Sequence, residues 1–260
     1  MNGEVHQISC IVAAAKCALK NNSDIRYAYA YDKYINRIEF EFLTKKKLFM
    51  TETPHAYNVP DWYKLCMEKG LQDIKLLIPI LVEDCNILGF ANVSQASIVC
   101  FFEDNLVTYF IPQWEFDSVQ KEWNIFYTEN MWENAPSGKP GFTNNKYSFI
   151  DVLTKIEELA AKIDCANFAK VFANARDVLL GNEISADQHC DLDLPKEMPK
   201  ENINLFQAAS ISDVFGAMGS WNDEPPYMAH KKGLSDEYDN LSQELLKNIR
   251  LAILYAINEW

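Results

Sequence analysis

Phosphate-cradling glycine loops are missing from this chain: it has nine glycines in 260 residues, and neither G-x-G-x-x-G nor G-x-x-x-x-G-K-[ST] occurs. Nucleotide sites built on backbone amides are therefore excluded. Histidine is equally sparse. His6, His55, His189 and His230 are scattered, and H-E-x-x-H is absent. Seven cysteines (10, 17, 66, 85, 100, 165 and 190) form no C-x-x-C pair. Their odd number and mostly apolar surroundings point to reduced, buried thiols. Long hydrophobic runs are also lacking. Residues 75–82 make the longest, and Pro79 interrupts it, so no membrane span is expected. The N-terminus has no basic segment before its apolar stretch, which Lys16 and Lys20 break, so no signal peptide is read there. Basic charge is the last deficit. Against 37 Asp+Glu stand only 24 Lys+Arg, a formal net charge of -13. Such a field repels nucleic acid and anionic membrane and draws in basic partners.

The rest is globular composition, 48% hydrophobic and 13% aromatic. Val5, Ile8, Val12, Ala15 and Leu19 recur at helical spacing over residues 4–20, and the small Ala13, Ala14 and Ala18 allow close packing on the other side. Alternation over Ile25–Tyr31 and Ile35–Leu43 predicts an antiparallel hairpin. A helix is predicted from Asp61 to Asp84, kinked or divided at Pro79. Ser97–Phe102 and Leu106–Ile111 read as a second hairpin. Trp114–Phe116 and Trp123–Tyr127 fit two strands or one helix.

The loop at 134–145, with two prolines and two glycines, is the clearest punctuation. Helices follow. One opens near Ser148 and Asp151 in a capping-box pattern, one ends at Gly181, a short one starts near Asn204, and one begins at Ser235 with a stripe from Tyr238 to Trp260. The fold class is α+β. Residues 1–133 form an α+β part with antiparallel hairpins, and residues 146–260 a helical part, the two packed as one unit or as separate domains.

Chemistry is thin. Asp187, His189 and Asp191 alternate as ligand-type residues in an acidic loop, the best metal candidate, but the glycine and glutamate of a calcium loop are missing. Cys190 beside His189 makes no convergent nucleophile pair, since adjacent side chains point apart. Gly219-Ser220-Trp221 is no nucleophile elbow. No catalytic residue and no cofactor is expected.

One stretch departs furthest from ordinary helix or strand composition, Phe215-Gly216-Ala217-Met218-Gly219-Ser220-Trp221-Asn222-Asp223, followed by Glu224 and two prolines. As a structural joint, a glycine turns the chain at positive φ and Trp221 pins the loop to the core. As a recognition surface, Trp221, Asn222, Asp223 and Glu224 present an aromatic anchor beside carboxylates. The stretch, with the acidic helix after it, resembles the C-terminal signature of immunity-type proteins in bacterial contact-dependent and polymorphic toxin systems. That resemblance implies a cytoplasmic, non-enzymatic binder that occludes a basic toxin domain. The alternative is a metal-dependent hydrolase or small-molecule-binding protein with its site between the two parts, Asp187, His189 and Asp191 being the first suspects.

Overall fold

A computed structural model describes residues 1–27, 32–43, 45–47, 50–80, 95–182, 192–216 and 218–260. Helix α1 (Gly3–Asn21) opens where the Asn2 side chain accepts from the Glu4 amide at 2.8 Å, and it closes at Asn22 in the left-handed region, φ 47. Residues 5–16 of this helix are all buried. A helix covered on every side lies between layers rather than on a surface.

One of those layers is a six-stranded sheet of β1 (Ile35–Glu41), β4 (His55–Ala56), β5 (Leu71–Leu77), β6 (Ser97–Phe102), β7 (Val107–Asp117) and β8 (Glu122–Met131), in the order β4-β1-β8-β7-β6-β5. A separate two-stranded ribbon joins β2 (Lys45–Lys47) and β3 (Met50–Glu52). Helix α2 (Val59–Glu68) precedes β5. The other layer is helical: α3 (Lys146–Lys162), α4 (Ala166–Leu180), α5 (Lys200–Ser212), α6 (Pro225–Lys232) and α7 (Ser235–Asn258). Helix α1 packs on β5 and β6 on one side and on α7 on the other, and one hydrophobic cluster runs through sheet, α1 and bundle. The α+β class holds. Among the described residues, no helix is long and apolar enough to cross a membrane.

The second hairpin forms as expected, β6 and β7 pairing antiparallel from Ile98↔Phe110 to Phe101↔Val107. Trp114–Phe116 and Trp123–Tyr127 are strand, not helix, in β7 and β8. The first hairpin is a correction. Residues 25–27 are in no strand, 28–31 lie outside the described residues, and β1 pairs parallel with β8 and antiparallel with β4. The expected 61–84 helix is another. It stops at Glu68; Gly70 turns the chain at φ +82 and β5 begins at Leu71, while residues 81–84 lie outside the described residues. A register irregularity between Leu71 and Asp73 puts Leu71 and Ile74, three residues apart, on the buried side. That bulge imitates helical spacing. Ser148 does not cap α3; it sits in the first turn and donates to Asn248 Oδ1 at 2.9 Å. The double proline starts α6, since proline suits a first helical turn.

Two polar side chains are held in the interior. The Glu129 side chain, 1% exposed, accepts from Lys69 Nζ (2.8 Å), the Leu43 amide (2.8 Å) and Thr108 Oγ1 (2.9 Å). At β5, Asn258 acts as a surrogate strand: the Leu76 amide donates to its Oδ1, and its Nδ2 donates to the Leu76 carbonyl, both at 2.8 Å.

Lys16, on α1, is buried with its ammonium 3.9 Å from the Asp73 carboxylate. Burial lowers its pKa from 10.5 to about 8; Asp73 and Glu259 oppose the shift, and Lys75 and Lys20 add to it. The unfolded chain thus holds more protons than the folded one between pH 8 and 10.5, and folding stability rises with pH across that window. Below it the cost of burying the charge is fully present, on the order of 3 kcal/mol. Lys16→Met is expected to stabilise the fold near pH 7 and to flatten this rise. Denaturant unfolding at about pH 7 and about pH 10 checks both effects.

Candidate docking surface

The stretch at 213–223 proves to be a joint. Trp221 is 0% exposed. Its ring meets Phe168 and Phe172 edge-on at 5.2 Å and stacks on Tyr238 at 5.3 Å. Its indole N–H donates to Ser242 Oγ at 2.8 Å, and its carbonyl accepts from Tyr238 Oη at 2.7 Å. Trp221 thus ties α4 and α7 together, and a ring so enclosed cannot anchor a partner, which corrects the recognition reading at this residue. Gly219 supplies the positive φ, 77°, and its amide donates to Asp223 Oδ2 at 2.7 Å. Asn222 is half-buried, while Asp223 and Glu224 face solvent at the head of α6. Glu224 and Asp164 lie close enough to Cys165 to add to the effect of burial, which pushes that thiol up.

Asp187, His189 and Asp191 lie outside the described residues, as does Cys190.

Of the exposed large apolar side chains, Ile111, Phe116, Val119 and Met131 share a ribbon made by β7, β8 and their turn. These strands pair from Thr108↔Met131 to Asp117↔Glu122, whereas β6 accompanies β7 only as far as Phe110. Beyond that point the ribbon carries its own tip, braced by β1 alongside β8 from Ile35↔Trp123. Its aromatics lock together on one face, Trp123 standing 5.7 Å from Trp114 and 5.0 Å from Phe116. Trp114 and Trp123 reach back to the core. Phe116 remains 53% exposed, and Val119 at the turn 89%.

The turn is rigid for a local reason. Asp117 Oδ1 accepts from the Val119 amide at 2.8 Å and the Gln120 amide at 3.0 Å, an Asx-type closure. Those bonds, Gln120's first and then Val119's, hold the Asp117 carboxyl below its usual range. Glu115, Asp117 and Glu122 are carboxylates of the same tip, on the face opposite its aromatic rings. On the neighbouring β1, Glu39 is engaged by Arg37 at 3.1 Å and by His55 at 3.0 Å.

Sequence reasoning missed this surface. Its signal was present: Trp114-Glu115-Phe116-Asp117 alternates ring and carboxylate at the strand period. No family model, no curated protein and no solved structure matches the chain.

Proposed function

We propose that this chain is a cytoplasmic, non-enzymatic binding protein of the immunity type, which occludes a basic toxin domain by docking the β7–β8 tip against it. The observation that carries this reading is the exposed Phe116 and Val119 at the tip of a braced ribbon whose other face bears Glu115, Asp117 and Glu122. Exposed aromatic anchors make interface hot spots, and the acids at the tip and the -13 net charge steer a cationic partner inward. The described cysteines are all free thiols, as a reducing compartment requires.

The test requires a basic toxin-like domain encoded beside this chain's gene; finding none counts against the proposal. Coexpression should abolish its toxicity, and the association rate should fall steeply with salt. Phe116→Ala with Asp117→Lys should weaken binding at least about 30-fold, equivalent to 2 kcal/mol or more at a hot spot, while the variant keeps its fold. A neighbouring domain that is harmless, or binding indifferent to the ribbon variant, removes the proposal.

A further inference from the structure

Three ligand-type side chains meet between the first helix and the helical half. They are His6, Cys10 and Asp193, and an imidazole nitrogen, the thiol sulfur and a carboxylate oxygen all lie within 4.8 Å of one another. His6 and Cys10 are four residues apart on α1, so one helix face presents both. Cys10 is 0% exposed and His6 7%, while Asp193 is half-buried.

The surroundings favour a ligand role. Burial lowers the His6 pKa, with the N-terminal ammonium acting the same way; the nearby Asp193 charge and a hydrogen bond to the Leu192 carbonyl partly offset this. Phe206 stacks on the ring at 5.8 Å and restrains its tilt. Cys10 Sγ lies 3.6 Å from the Leu192 carbonyl oxygen, so the segment bearing Asp193 is docked on α1. Asp193 has φ 52, a left-handed conformation that aspartate tolerates better than most side chains.

We propose that His6, Cys10 and Asp193 form a binding site for a zinc-class divalent transition ion. One nitrogen, one thiolate and one carboxylate are a ligand set that zinc takes at about 2.0–2.3 Å in tetrahedral geometry. Three such ligands leave a fourth position for water. Adjacent ligands around such an ion stand about 3.3–3.8 Å apart, so closing the cluster takes a movement of about 1 Å. On binding, the Cys10 thiol loses its proton to solvent and the resulting thiolate completes the set. Asp193, the half-buried member, marks the way in.

The experiment titrates the full-length, reduced protein with Co2+ and then displaces it with Zn2+. One equivalent of Co2+ should produce a thiolate-to-cobalt charge-transfer band with tetrahedral ligand-field bands, and one equivalent of Zn2+ should abolish them and raise the melting temperature. Cys10→Ser should remove the charge-transfer band. Asp193→Asn, the more exposed and nearly isosteric change, should weaken Zn2+ binding by on the order of 100-fold, at the top of the range for losing an outer partner, with unchanged circular dichroism. Cys17→Ser should leave both readouts intact. The absence of stoichiometric Co2+ binding to the wild-type protein, or a charge-transfer band that persists in folded Cys10→Ser, overturns the assignment. So does Zn2+ affinity undiminished in Asp193→Asn, which keeps the test decisive where the buried cysteine variant fails to fold.

Discussion

Trp221→Ala should lower the stability of this protein by about 3–5 kcal/mol, the cost of emptying a fully buried indole site. The change removes two edge-on ring contacts and one stacked contact, and it deprives Ser242 Oγ of its donor inside the core. The Tyr238 hydroxyl keeps its carbonyl acceptor, because that bond runs to the Trp221 backbone. Denaturant unfolding should therefore show a lowered midpoint with little change in slope. Phe116→Ala, by contrast, should stay within about 1 kcal/mol of wild type, because that ring is already half in solvent. The pair of variants separates the joint from the docking tip. Equal destabilisation by both would show that the ribbon, too, is structural.

Glu129→Ala should be comparably severe, about 3–5 kcal/mol, for a different reason. The carboxylate is the common acceptor for Lys69, the Leu43 amide and Thr108. Its loss strands an ammonium whose side chain is 18% exposed and which lies 4.1 Å from the centre of the Phe42 ring. Most of the penalty comes from the orphaned cation rather than from the pair's own attraction. Glu129→Leu combined with Lys69→Met should accordingly recover more than half of the loss, and a double-mutant cycle on unfolding free energies measures this. Additive losses would refute that account.

The elements legible in the sequence were those whose signals are local. Helices α1, α3, α4 and α7 carry uninterrupted apolar stripes, and Gly181 ends α4 at φ 81 as its position predicts. The β6–β7 hairpin is likewise decided over a short span. What stayed hidden depends on distant partners or on irregularity. The β1–β8 pairing brings Arg37 and Asn124 together across 87 residues, and no turn connects the two strands. Strand β5 was disguised by its bulge, which places Leu71 and Ile74 together as a helix would. The joint at Trp221 was readable, because the ring lies close in sequence to the helix it pins. In the candidate metal site, His6 and Cys10 stood at legible spacing, but Asp193 joins them only through the docking of Leu192 on Cys10, 182 residues away.

The pairing of Asn258 with Leu76 also sets an order of events during synthesis. Strand β5 forms one edge of the main sheet, and the side chain that occupies its free amide and carbonyl is encoded 182 residues later. At about 5–20 residues per second, the ribosome takes roughly 10–40 s to deliver it. Throughout that interval the nascent chain carries an open strand edge, the kind of template on which neighbouring chains associate. When α7 docks, Asn258 takes up the amide and carbonyl of Leu76 and removes that point of attachment from the edge.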